Sequence, residues 1–528
     1  MNFFRRSLAV SMLALIAHQA AADTPANALI VAQNIDDIVT IDPASAYEFT
    51  SGEYVANTYD QLVHYDATDT TELVGGLATS WDVDAEAKAI TFTLRDGVTF
   101  SSGNPLTGAD VVGSWKRVLV LNMAPAFILT QLGWTADNIE EMVTAEGNTV
   151  TVRYVGDFAP AFVLNVLASR PASIVDVTTA MANEVDGDLG HAWLNEHSAG
   201  TGPFVLNQFR PGEMIRLTAN PAYYGGAPAM EQVLIRHVPE AATQRLMLES
   251  GDIDMAKNLT PDQVAGLENT DGIDIETYPQ SAVHWLSFNQ KVEVLSNPAF
   301  WEAARYLVDY NGMADTFLKG QMIVHQAFWP MGYPGALDDT PFTYDPEKAR
   351  QILADAGIQT PIKVTLDVIN SNPFTDMAQA LQATFAQAGI EFEILPGTGS
   401  QVITRYRERS HQAMLLYWGP DFMDPHSNAK AFAYNANNDD DHYASTTTWR
   451  NAWMPPAEMN ALTMAALSEV DPEKRLEMYL ELQREVQQES PIVVMFQAVK
   501  QVAMADDVHG FVNGASSDYV YYRLVTKD

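Results

Sequence analysis

Apolar and polar residues alternate in AITFTLRDGVTF, where Ile90, Phe92 and Leu94 fall opposite Thr91, Thr93 and Arg95. A period of two marks a half-buried strand. Asp96-Gly97 is a turn dipeptide, so the stretch predicts a hairpin. Residues 149–155 (TVTVRYV) alternate in the same way. Between them, Thr107 stands three residues before Asp110, and Val111, Val112 and Trp115 share one helical face. That spacing predicts a capped helix, and residues 66–196 read as a mixed α+β unit.

Further on, the pattern changes to strands alternating with helices. Strands are predicted at 362–369 (IKVTLDVI), 390–395 (IEFEIL) and 413–418 (AMLLYW), with helices near 376–388 and 401–409 between them. This is βαβ-type alternation. In DPEKARQILADAG, Asp345 precedes Pro346 and Gly357 closes the run, while Ala349, Ile352, Leu353 and Ala356 form a buried stripe. Asp at the cap with Pro at the first helical position is a start signal, and Asp471-Pro472 repeats it. Asp424-Pro425 repeats it again, so Asp424 is read as the cap of a helix over HSNAKAF.

A chain of 528 residues exceeds what one core usually serves, and its 47% apolar content is ample for two or three lobes. The first 22 residues carry Arg5 and Arg6, a short apolar run, and Ala20-Ala21-Ala22 before Asp23. That is a secretory signal with an A-x-A cleavage site; the run is too short for a membrane anchor, which needs about 20 apolar residues. There is no cysteine, so no lipid can be attached at the cleavage site and no disulfide can staple the fold. The protein is expected to be periplasmic and unlipidated. Net charge is −37, or −39 once Arg5 and Arg6 leave with the signal, which argues against a nucleic-acid partner.

Enzyme signatures are missing. The chain has no G-x-S-x-G, no H-E-x-x-H and no phosphate loop, and no cofactor is expected. In NNDDDHY, Asp439, Asp440, Asp441 and His442 adjoin, but adjacent carboxylates do not converge and the EF-hand spacing is absent, so a solvated loop is expected. Of Trp285, Trp301, Trp329, Trp418, Trp449 and Trp453, most are expected in the core, with one or two free to stack on a ligand.

The order of motifs resembles the extracytoplasmic solute-binding proteins of ABC importers, the family of oligopeptide-, dipeptide- and nickel-binding proteins. The resemblance rests on LVGGLATSWDV with ITFTLRDGVTFSSGNPLTGADVV (73–112), TGPFVLNQFRPGEMIRLTANPAYYGG (201–226), LESGDIDM (248–255), HWLSFNQ (284–290) and TYDPEKARQILADAGI (343–358). Ser101-Ser102-Gly103 departs from the family's usual His-Asp-Gly, and Tyr310-Asn311 from its Asp-Arg, which leaves the subfamily open. The resemblance implies an α/β, two-lobed periplasmic binding protein clamp (type II, cluster C) with an extra α+β subdomain. It divides the chain into a signal (1–22), lobe I (23–65, 197–282 and 501–528), the extra subdomain (66–196) and lobe II (283–500). It implies a monomer that passes its ligand to permease subunits in the inner membrane.

Trp418 ends a strand, and in open α/β sheets ligands gather beyond the carboxyl ends of strands. Peptide-binding members carry W-x-x-D at this place, matched by Trp418-Gly419-Pro420-Asp421. The resemblance therefore implies that Asp421 pairs with a ligand's α-ammonium, beside Trp418 and Tyr417. It also places Tyr47, Glu48 and Phe49 on a lobe I loop lining the cleft. Asn289, near a lobe crossing, and Arg405, which could meet a ligand carboxylate, complete the candidates. The expected ligand is a di- or oligopeptide or a peptide-like amine. An oligosaccharide or opine binder is the alternative within the family, and a secreted hydrolase the alternative outside it.

Overall fold

One mixed sheet runs through the molecule, and two long strands tie its halves together. The computed structural model describes residues 24–67, 72–442, 444, 446–514, 516 and 520–528; the expected export signal, 1–22, lies outside them. The long strands, Ile273–Phe288 and Ile492–Ala505, pair antiparallel with each other. At one end, Ile492–Ala505 pairs with Met255–Ala256, which lies parallel to Ala28–Gln33. At the other end, Ile273–Phe288 pairs with Ala413–Trp418, which lies parallel to Ile362–Ile369. Among the described residues the sheet has 11 strands. The ladder between the crossing strands loses register between Pro279 and Val283. A break of this kind weakens pairing and bends the sheet locally.

The predicted strand–helix alternation is present. Ile362–Ile369, Phe374–Ala386, Ile390–Gly397, Gly399–Arg407 and Ala413–Trp418 follow in the expected order. The Asp-Pro starts hold: Asp345 accepts from the Lys348 N–H, and Asp471 from those of Glu473 and Lys474. Asp110 accepts from both the N–H and the hydroxyl of Thr107, which fixes the start of Gly108–Leu121.

A separate four-stranded sheet holds Ala78–Asp84, Ala89–Leu94, Thr149–Arg153 and Val143–Glu146. Here the predicted hairpin fails. Both edges of Ala89–Leu94 are already taken, by Ala78–Asp84 and Thr149–Arg153. After Gly97, at φ 73°, the chain turns away and makes only the bridge between Thr99 and Pro105. Behind this sheet, Trp115 is fully buried and stacks on Trp134 with ring centroids 5.3 Å apart.

Two large apolar clusters follow from this plan. One joins Phe92, Trp115 and Phe162 to Trp285, Phe422 and Phe432, so the four-stranded unit shares its core with the sheet half that carries Trp418. The other gathers Leu29, Val31, Ile215, Val233 and Tyr522 around the opposite half. Among the described residues no helix is long and apolar enough to cross a membrane.

Candidate functional site

The strand Ala413–Trp418 is buried for four residues and then emerges, Tyr417 exposed and Trp418 half-buried. Its carboxyl end opens into a cavity of about 840 Å³. One wall comes from Trp418, Asp421, Phe422 and His426; the facing wall includes Tyr47 and the Phe127–Gln131 segment. Tyr417 stacks on His284 at 5.7 Å and also packs against Phe374 at 5.9 Å, which steadies the rim. Trp418 meets the edge of Phe432, and its indole Nε1 is buried without a hydrogen-bond partner.

Asp421 is positioned through its backbone, whose N–H donates to Ser427 Oγ at 2.9 Å. Its carboxylate accepts from the Tyr47 hydroxyl at 2.8 Å, across the cavity. No basic side chain pairs with Asp421 among the described residues. Burial pushes its pKa above the ordinary carboxylate value, and the Tyr47 hydrogen bond offsets this only in part. A carboxylate short of solvation and of a cation favours a ligand that supplies positive charge.

Asp424 behaves differently. It caps Pro425–Ala433 by accepting from the His426 N–H, as the Asp-Pro pair predicts. It is also completely buried and receives both terminal nitrogens of Arg475, at 2.9 and 2.7 Å. Asn165 donates to the same carboxylate from the four-stranded unit at 2.9 Å. Burial alone would raise its pKa, but Arg475, then Asn165 and the His426 N–H, outweigh that and hold it below the usual value. The His426 ring sits between Phe162 and Tyr479, where burial lowers its pKa to about 3, so it is neutral.

Two sequence candidates lie elsewhere. Asn289 is buried and donates to the carbonyls of Arg409 and His411, so it closes a strand end and does not line this cavity. Arg405 pairs through Nε with the buried Asp367 on the neighbouring strand, so its charge is already engaged within the protein. Glu48 precedes Phe49–Thr58 and accepts from the Tyr47 N–H and the Ser51 hydroxyl, both at 3.3 Å, within its own loop. Phe49 opens that helix, and its side chain lies outside the described residues. The acidic run is also accounted for, because Asp440 pairs with Lys291 and Arg409. Sequence reasoning named Trp285 only among six tryptophans and missed Tyr406 and Arg450; all three line the same cavity. They come from three separate segments, and no local pattern joins them.

Lobes joined by long crossing strands, with a cavity at a strand's carboxyl end, define a solute-binding clamp. The family described as bacterial extracellular solute-binding proteins, family 5 Middle, matches residues 72–440, and the chain belongs to that family. It is 27% identical over 532 residues to the probable D,D-dipeptide-binding periplasmic protein DdpA of Escherichia coli K12, covering 98% of each chain. HbpA2 from Haemophilus parasuis shares the fold at TM-score 0.80 and 21% identity, over 95% of this chain and 100% of that one. The DppA protein of Helicobacter pylori, solved in complex with the peptide STSA, shares it at TM-score 0.73 and 23% identity, over 95% and 98%.

Proposed function

We propose that the protein is the periplasmic binding component of an ABC importer and captures di- or oligopeptides, or peptide-like amines, by their free ammonium. The observation that carries this is Asp421, a cation-free carboxylate at a strand's carboxyl end, facing a cavity large enough for a short peptide. The peptide-binding names of its relatives support the ligand class. In this reading residues 1–22 are an export signal removed before Asp23. The mature chain divides into lobe I (23–65, 197–282, 501–528), an extra subdomain (66–196) and lobe II (283–500), closes about the crossing strands and delivers its ligand to membrane permease subunits. The register break at Pro279–Val283 supports bending at that place.

Calorimetric titration with a free dipeptide and its N-acetylated form tests the reading. The free form binds and the acetylated form is weaker by at least two decades. Affinity for the free form falls in acid, because protonating Asp421 removes the charge that the ammonium needs, and the onset lies above the ordinary carboxylate pKa of 3.8. Equal affinity of the two forms refutes an ammonium anchor.

A further inference from the structure

The chain has 67 acidic and 30 basic residues, yet its cavity reverses that balance. Asp421 is the one carboxylate among the residues lining it, against Arg407, Lys430 and Arg450. Arg450 is the unusual member. It is 92% buried, being 8% exposed, and no carboxylate pairs with it among the described residues. Its guanidinium lies over Tyr406 at 5.3 Å and Trp418 at 6.0 Å, held by aromatic faces instead of an anion. Among the described residues its Nε–H has no hydrogen-bond partner, and neither do the indole N–H groups of Trp418 and Trp285, which line the same cavity. Trp285 and Tyr406 are themselves in contact, with centroids 5.5 Å apart.

Buried donors without acceptors are rare in folded proteins and call for an explanation. A buried cation without an anion is costlier still. Three orphan donors, the guanidinium's own Nε–H and two indole N–H groups, make a site short of acceptor oxygens and of negative charge. A carboxylate supplies both, and arginine's planar fork matches it. A simple dipeptide brings one ammonium and one carboxylate, so after Asp421 and Arg450 are satisfied, Lys430 and Arg407 at the exposed rim still face the ligand.

We propose that Arg450, with the indole donors of Trp418 and Trp285, forms a carboxylate subsite, and that Lys430 and Arg407 extend it, so that the clamp selects amines of net negative charge. Acidic peptides and amino-polycarboxylates share that chemistry. The inference rests on the cleft-binding reading above, but its carboxylate subsite does not depend on Asp421.

The test is calorimetric titration of wild type, R450Q and the rim variant R407Q/K430Q with Ala-Glu, Ala-Gln, N-acetyl-Ala-Glu and iminodiacetate. Wild type should prefer Ala-Glu to Ala-Gln by about tenfold or more, and added salt should narrow the gap. R450Q should weaken both peptides by about ten- to a hundredfold. The rim variant, altered only at exposed positions, should fold normally and lose the Glu/Gln preference. Binding of Ala-Glu alone assigns the subsite to peptides; binding of iminodiacetate alone assigns it to amino-polycarboxylates. Retained affinity for N-acetyl-Ala-Glu sinks the ammonium anchor and leaves the carboxylate subsite standing. The proposal is overturned if Ala-Glu and Ala-Gln bind wild type equally, if R450Q binds as wild type does, or if no carboxylate probe binds.

Discussion

Replacing Asp421 with Asn is expected to remove nearly all affinity for a ligand with a free ammonium and to leave the fold intact. The substitution keeps the shape and can still accept from the Tyr47 hydroxyl, which now bonds the carboxylate at 2.8 Å. What it deletes is the charge. A bound ammonium stripped of water then has no anion, and losing one member of a buried ion pair costs about 3–5 kcal/mol. That is about two to three and a half decades in Kd. Stability should barely fall, because burial holds the Asp421 pKa above its ordinary value and so disfavours the charged form in the free protein. Acetylating the ligand's amine should weaken wild type by a similar factor and add little in Asp421→Asn. The signature is this non-additivity, read by titration of both ligands against both proteins. An unchanged Kd for the variant would remove Asp421 from the site and shift attention to Trp418.

The second large effect concerns stability. Asp424→Ala removes a helix cap and also leaves Arg475 buried and unpaired. A cap alone is worth about 0.5–2 kcal/mol, whereas a broken buried pair costs about 3–5 kcal/mol, so the larger figure governs. It should appear as a lowered midpoint in urea unfolding. Arg475→Met alone strands the carboxylate and should cost a similar amount. Asp424→Ala/Arg475→Met together should cost clearly less than the sum of the single changes. The pair also sets an acid limit. The Asp424 pKa is lower folded than unfolded, so its stabilisation is complete above its ordinary value of 3.8 and drains away as pH falls through the folded value. His426 adds to this loss. Its pKa drops from 6.5 to about 3 on folding, so below pH 6.5 the unfolded chain binds a proton that the folded one refuses. Strict additivity of the two single substitutions would contradict the pairing.

What was legible in the sequence follows from the range of the forces involved. AMLLYW reads as a strand and Asp424-Pro425 as a helix start because both signals are local. Arg475 lies 51 residues from Asp424, and no spacing rule couples charges on different elements. The pairing of Arg405 is legible in part. Its partner Asp367 sits inside the apolar strand Ile362–Ile369, and a carboxylate in a core strand demands a cation nearby. An amide at a strand end, such as Asn289, suits a ligand contact or a structural tie equally, and only the fold shows its bonds to the carbonyls of Arg409 and His411. The failed hairpin at Asp96-Gly97 has the same cause, since local turn chemistry says nothing of Thr149–Arg153 taking the strand's free edge. Arg450 gave no local sign, because its importance lies in the partner it lacks.

A cavity that captures peptides for transport holds its ligand intact and does no chemistry on it. Native mass spectrometry of the purified protein, mixed with a pool of short peptides of free amino terminus, tests that most directly. The expected spectrum shows one unmodified peptide bound per chain, acidic members enriched, and every peptide in the pool is recovered whole. Fragments accumulating with time, or a spectrum of bare protein at peptide concentrations far above it, would contradict the account.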